Sequence, residues 1–165
     1  MGSEMCIRDR IKAVDIKTAP FPGFPTDLQA PFMALMTIAK GSSKITETIF
    51  ENRMNHVDLL NQMGSSITLK DNVAHINGVK KLRGMTLVGL DLRSSAALII
   101  AALTTKSVSY VYGLEHLDRG YENFEQKLSK LGIEIKRQII KRTMSKSNYD
   151  NSNSNNKEVS EMKAA

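Results

Sequence analysis

The stretch DLRSSAALIIAAL, residues 91–103, contains no polar side chain from Ala96 to Leu103. A surface helix keeps a polar face, so a helix that is apolar all round must be covered all round. The run is far shorter than the ~20 residues that cross a bilayer. It is therefore predicted to lie at the centre of a protein core. A second such stretch, DLQAPFMALM from Asp27, begins 64 residues earlier. Each is followed by a strand, an Arg-containing acidic turn, an amphipathic helix, a glycine stop (Gly64, Gly132) and another strand. A period of this length indicates stacked or pseudo-symmetric supersecondary units. Because the strands and second helices are amphipathic, they are expected to wrap the two apolar helices, an inside-out α/β arrangement.

Working outward, Ile11–Ile16 reads as a strand running into a proline-braced loop (Pro20, Pro22, Gly23, Pro25), where helix is blocked. Thr26 with Gln29 three residues on has capping-box spacing and predicts a helix that runs to Ile38 and stops at Gly41. Lys44–Ile49 is a strand, Asn52–Met63 an amphipathic helix, and Ile67–Leu69 with Ala74–Ile76 a hairpin across Asp71-Asn72. Beyond Arg83–Val88, a helix over Ser94–Leu103, a strand over Val108–Tyr112, a helix over Tyr121–Leu131 and a strand over Ile133–Ile139 complete the pattern. Residues 1–10 lack either periodicity and resemble a non-native leader. Residues 141–165, rich in Asn, Ser and Lys, are expected to stay disordered, because they can bury too little apolar surface to offset their conformational entropy.

The net charge of +6 and pI near 9.5 suggest an anionic partner. The arginines stand singly at element boundaries, which favours a small anion over a polymer. Lys136, Arg137, Lys141 and Arg142 are interrupted by an apolar pair, and Phe21, Phe24 and Tyr121 are not interleaved with a basic groove, so nucleic acid is not expected. A single cysteine, Cys6, excludes an internal disulfide and points to a reducing, cytoplasmic setting. No apolar signal region or membrane-length segment is present, and no membrane partner is expected.

Four polar clusters break the apolar pattern: Thr26-Asp27, Glu51-Asn52-Arg53, Asp91-Leu92-Arg93 and His116-Leu117-Asp118-Arg119. Each lies where a loop or strand meets a helix, the usual address of functional side chains in α/β units. Asp27 reads either as a first-turn acid that complements a helix dipole or as a general base held at a cleft mouth with a raised pKa. Asp91 admits the same two readings and suits an N-cap better. Arg53, Arg93 and Arg119 form a natural clamp for phosphate or carboxylate, because guanidinium is planar, bidentate and permanently charged. The bland alternative pairs each with its neighbouring acid: Glu51, Asp91 and Asp118 respectively. His116 reads as a structural histidine or a proton shuttle. No metal-ligand spacing, glycine-rich phosphate loop or Ser/His/Asp set occurs, so neither metal nor cofactor is expected.

The stretches TAPFPGFPTDLQAPFMAL, ITETIFENRMNHVDLL, GLDLRSSAALIIAAL and GLEHLDRGYENFEQKLSKLGIEI together resemble the UDP-N-acetylglucosamine enolpyruvyl transferases, nearly without gaps over residues 11–137. That resemblance implies an inside-out α/β barrel of the enolpyruvate transferase type, with about two of the three repeats of one domain present (about 11–80 and 81–140). It implies transfer of an enolpyruvyl group from phosphoenolpyruvate to the 3-hydroxyl of UDP-N-acetylglucosamine, in cell-wall synthesis. In that setting Asp27 would bind the sugar hydroxyl and act as base, and Ile49 would touch the sugar nucleotide through its main chain. Arg53, Arg93 and Arg119 would hold phosphoenolpyruvate and its tetrahedral intermediate, and Asp91 would order the site. The family's catalytic cysteine belongs to a domain this chain lacks. Cys6 does not replace it, and the chain is expected to be an inactive C-terminal portion that needs the missing N-terminal part as partner. The stretch after Arg137 has no counterpart in the resemblance. The shikimate-pathway enolpyruvyl transferases, which share the fold and the chemistry, are the nearest alternative.

Overall fold

A computed structural model describes residues 10–141 and 158–164. The chain makes two units of similar order, strand–helix–strand–helix–strand–strand, the second with one additional short helix. In the first, β1 (Ile16–Lys17) leads through a 3-10 turn (Thr26–Leu28) into α1 (Gln29–Met36). It continues through β2 (Ser42–Thr46), α2 (His56–Gln62), β3 (Ser66–Lys70) and β4 (Val73–Asn77). The second runs β5 (Thr86–Val88), α3 (Leu92–Leu103), β6 (Ser109–Tyr112), α4 (Leu114–Leu117), α5 (Phe124–Lys130), β7 (Ile135–Lys141) and β8 (Glu158–Ala164).

The sheets repeat as faithfully as the order. One has strand order β1-β2-β4-β3 and the other β5-β6-β8-β7. In each, the first pair is parallel and the other two pairings are antiparallel. The expectation of an unordered tail from 141 onward is corrected for its last segment. Residues 158–164 are a strand seated between β6 and β7, in the place β4 takes between β2 and β3. The physical reason is backbone pairing: without β8, β6 and β7 would each lose a neighbour. The Asn- and Ser-rich residues 142–157 lie outside the described residues, so that part of the expectation is not addressed.

Both apolar helices are buried over most of their surface, though not all round: Leu35 of α1 is exposed, and Ile100 and Leu103 of α3 are only partly buried. Met33 and Ala34 of α1 and Ala97, Leu98 and Ala101 of α3 have no exposed surface, and α1 packs directly on α3. Each sheet turns one face to these helices. In β2, Ser43 and Ile45 are buried while Ser42 and Lys44 are exposed, and Ala74 and Ile76 of β4 are buried beside them. One continuous core results, from Met33 and Ile45 to Val111 and Leu117. Gly64 and Gly132, predicted as stops, follow α2 and α5 with φ of +89° and +82°, a region glycine enters without steric cost. At Gly78 a side chain is excluded by packing, since a Cβ there would lie 1.7 Å from the Ala39 carbonyl oxygen.

Three boundaries differ from the sequence reading. The second helix starts at His56 and not Asn52, because Asn52 takes φ of +54° in the turn that precedes it. The Tyr121–Leu131 helix is shorter, and a separate turn of helix, α4, comes before it. The capping box at Thr26 does not form: Pro25 holds the cap position and Thr26 makes no capping bond. Arg10, read as the end of a leader, donates to the carbonyls of Ile38 (2.9 Å), Ala39 (2.8 Å) and Val79 (2.6 Å), so it is fastened to the first unit. Residues 1–9 lie outside the described residues. No helix among the described residues is long and apolar enough to cross a membrane.

Candidate active site

Asp27 sits in the 3-10 turn before α1, at the end of the proline-rich loop. Its Oδ1 accepts from Arg93 Nε at 2.7 Å and from Arg53 Nη1 at 3.4 Å. These partners are 66 and 26 residues away and come from different units. Arg93 belongs to the first turn of α3, and Arg53 to the loop that follows β2. The Asp27 side chain is 70% exposed against 17% for Arg53, so the general-base reading does not gain from burial within this chain. Exposed pairs contribute little to stability, typically under ~1 kcal/mol. The cluster is better understood as excess positive charge held at a surface. Two guanidinium groups face one carboxylate, and most of their N–H donors are unused among the described residues.

Arg53 is held from three sides. Besides Asp27, its Nη1 donates to Thr26 Oγ1 at 2.7 Å, and its guanidinium lies over the Phe50 ring at 3.9 Å, a favourable cation–π contact. Behind Thr26 stands Glu47, which the sequence reading did not single out. It directly follows β2 and is 2% exposed. Its Oε2 accepts from the Thr26 hydroxyl at 2.8 Å, and its Oε1 from the Thr18 hydroxyl and the Ile49 backbone N–H, both at 2.9 Å. Phe50 N–H adds a longer bond at 3.3 Å. Burial works against the charge. Hydrogen bonds from Ile49, Thr26, Thr18 and Phe50 outweigh it and hold the carboxyl below its ordinary pKa. The signal that could have found Glu47 is an acid flanked by threonines immediately after a strand.

Asp91 is the N-cap of α3, as its position suggested. Its Oδ1 accepts from the backbone N–H groups of Arg93 (2.8 Å) and Ser94 (2.9 Å), and Ser94 Oγ accepts in return from Asp91 N. This capping box fixes the turn that carries Arg93. Beneath it, His56 is 2% exposed and its Nε2 has no hydrogen-bond partner. Burial pushes its pKa down to about 4, with the nearby Asp91 charge opposing.

None of the three bland pairings is present among the described residues. Arg53 and Arg93 meet Asp27 and not Glu51 or Asp91, and Asp118 pairs with Arg137 at 2.8 Å. Arg119 is thereby left exposed, with no ion pair or side-chain hydrogen bond among the described residues. It lies beside the same turn of α3, since a Cβ on the next residue, Gly120, would meet the Leu92 side chain at 2.8 Å. Asp27, Arg53 and Arg93 are brought into contact, Asp91 braces Arg93 from behind, and Arg119 follows along the chain. Ile49 is 37% exposed, and its N–H is committed to Glu47. His116, half-buried on α4, joins none of these contacts. The basic run at 136–142 is partly spent, because Arg137 binds Asp118 and Glu125.

Residues 3–128 match the model of the family described as EPSP synthase (3-phosphoshikimate 1-carboxyvinyltransferase). A UDP-N-acetylglucosamine 1-carboxyvinyltransferase of Prochlorococcus marinus subsp. pastoris (strain MED4) is 89% identical over 155 residues, 94% of this chain and 34% of the relative. A protein of the same name from Prochlorococcus marinus (strain MIT 9515) is 77% identical over 129 residues, 78% of this chain and 28% of the relative. The chain thus spans about a third of the length of the curated relatives it matches. A 155-residue match in a chain of 165 must include residues 11–155, so the likeness continues past Arg137, where none was expected. Among solved structures, the enolpyruvyl transferase NikO from Streptomyces tendae superimposes with a TM-score of 0.67 at 29% identity, over 76% of this chain and 29% of that one. An EPSP synthase from Acinetobacter baumannii shares the fold, with a TM-score of 0.57 at 15% identity over 90% of this chain and 30% of that one.

Proposed function

The chain belongs to the EPSP synthase (3-phosphoshikimate 1-carboxyvinyltransferase) family, and from that premise we propose that it forms part of a UDP-N-acetylglucosamine 1-carboxyvinyltransferase. The observation that carries this reading is the meeting of Asp27 with Arg53 and Arg93, residues that neither sequence neighbourhood nor helix periodicity would bring together. The names of the relatives at 89% and 77% identity support the sugar nucleotide over shikimate 3-phosphate as acceptor.

In this reading Asp27 accepts the proton of the sugar 3-hydroxyl as its oxygen bonds to C2 of phosphoenolpyruvate. Arg53, Arg93 and Arg119 bind the carboxylate and phosphate and stabilise the charge of the tetrahedral intermediate, the work for which fixed guanidinium groups are suited. Loss of phosphate from C2 together with a proton from the C3 methyl group then leaves the enolpyruvyl ether. Ile49 contacts UDP-N-acetylglucosamine through its main chain, and Asp91 keeps Arg93 in place. The acid that protonates the enol carbon comes from the remainder of the enzyme, as does a third repeat that closes the inside-out barrel. Enolpyruvyl transfer in the cytoplasm, committing the sugar nucleotide to peptidoglycan, is the corresponding cellular role, and the substrates are the two metabolites without a cofactor.

The test joins this chain to the remainder of the MED4 relative and measures phosphate release. UDP-N-acetylglucosamine is expected to support release from phosphoenolpyruvate, and the isolated 165-residue chain to give none. Release with shikimate 3-phosphate and not with the sugar nucleotide would move the assignment to the shikimate enzyme, and turnover by the isolated chain would end the reading of it as part of a site.

A further inference from the structure

Glu47 is a buried carboxylate that the reaction outlined above does not use. It has no ion pair among the described residues, so its charge is held by neutral dipoles alone. Such a group is costly to bury unless every donor around it is well aimed. Its chemistry has a directional consequence. A carboxylate only accepts, so the Thr26 hydroxyl must point its proton at Oε2, and the lone pairs of Thr26 then face outward. Arg53, which only donates, binds those lone pairs at 2.7 Å. The chain Arg53 → Thr26 → Glu47 therefore has one possible polarity. A second route starts from the same carboxylate. By accepting from Ile49 and Phe50 it fixes the turn that carries the Phe50 ring beneath the Arg53 guanidinium.

We propose that Glu47 is a positioning residue that sets, through the Thr26 hydroxyl and the Phe50 turn, the place and polarity of the Arg53 guanidinium toward the anionic substrate. The inference rests on the reading of Arg53 as a phosphoenolpyruvate ligand and adds the group that aims it. Thr18 completes the mount, since its Oγ1 donates to Glu47 and accepts from Thr48 N–H at 2.8 Å.

The experiment titrates the chain, joined to the remainder of the MED4 relative, with phosphoenolpyruvate and follows the Arg53 guanidinium by NMR, with unfolding midpoints recorded alongside. Glu47→Gln keeps the shape but offers an amide N–H to Thr26. It is expected to weaken binding about tenfold, the worth of one hydrogen bond to a charged group. Thr26→Val should act alike, and Thr26→Ser, which restores the hydroxyl, should bind as the unaltered chain does. In an Arg53→Ala background, adding Glu47→Gln should cost nothing further, as expected of two groups in one chain of contacts. An undiminished effect in that background would overturn the proposal, because Glu47 would then act through the fold in general. Should the unaltered chain bind no phosphoenolpyruvate, or Arg53→Ala leave binding unchanged, the substrate reading fails and the NMR signal judges Glu47 by itself. Arg53 N–H resonances that broaden in Glu47→Gln uphold the positioning role, and resonances that stay put overturn it.

Discussion

Asp27 and His56 show how differently two titratable side chains serve one molecule. Asp27 is exposed, and its ion pairs lie at the surface. Asp27→Asn is therefore expected to change unfolding stability by less than about 1 kcal/mol. Phosphate release by the chain joined to the remainder of the MED4 relative should nonetheless fall at least ~100-fold, the usual contribution of a general base. Equal losses of stability and rate would make Asp27 structural. His56 is the reverse case. Its pKa lies at about 4 in the folded chain against 6.5 in the unfolded one, so unfolding takes up a proton between those values. The contribution of neutral His56 to stability is full above pH 6.5, falls as pH drops through the window, and changes no further below about 4. The loss is about 3 kcal/mol and should appear in urea titrations between pH 7 and 4. His56→Phe should flatten that part of the curve. Glu47, with its lowered pKa, contributes stability that is lost only at lower pH, as its carboxylate is protonated.

The two helix starts are built by different means, although both open with Asp-Leu. At α3 the local rule holds: Asp91 caps, Ser94 returns the bond, and the helix begins where the sequence says. Asp91→Ala should cost about 1 kcal/mol, while Asp91→Asn should retain most of the cap. Both are read from urea midpoints, and a neutral Asp91→Ala would deny the cap its role. At α1 the local rule fails. Thr26 has the spacing of a capping residue, but Glu47 and Arg53 claim its hydroxyl from across the fold. A tertiary carboxylate and guanidinium make stronger, charge-assisted bonds than a backbone N–H offers, and they win. The same competition explains the late start of α2, where the turn under Arg53 occupies residues that the hydrophobic period assigned to helix.

Over the whole molecule, β3 and β4 are joined by two residues, Asp71 and Asn72, whereas β7 and β8 enclose residues 142–157. The strand pairings on either side are equivalent, with Lys70 opposite Val73 and Lys141 opposite Glu158. Replacing 142–157 by Asn-Gly should therefore preserve the fold and raise stability by up to about 2 kcal/mol, through the shorter loop to close. Ending the chain at Lys141 should instead strip amide exchange protection from β6, whose partner β8 is removed. Retained protection in the truncated chain would contradict the sheet order.

The sequence by itself determined the two buried helices, the repeat, both glycine stops and the residue types of the cluster formed by Asp27, Arg53 and Arg93. Each is a local matter: apolar runs leave a helix no polar face, and a glycine just past a helix can adopt positive φ whatever lies around it. Only the tertiary structure decided which acid each arginine meets, that Thr26 answers to Glu47, and that the last seven described residues fill a strand position left open by β7. These depend on distances between segments far apart in the chain. One carboxylate at the end of a strand looks like any other until the donors that surround it have been folded into place.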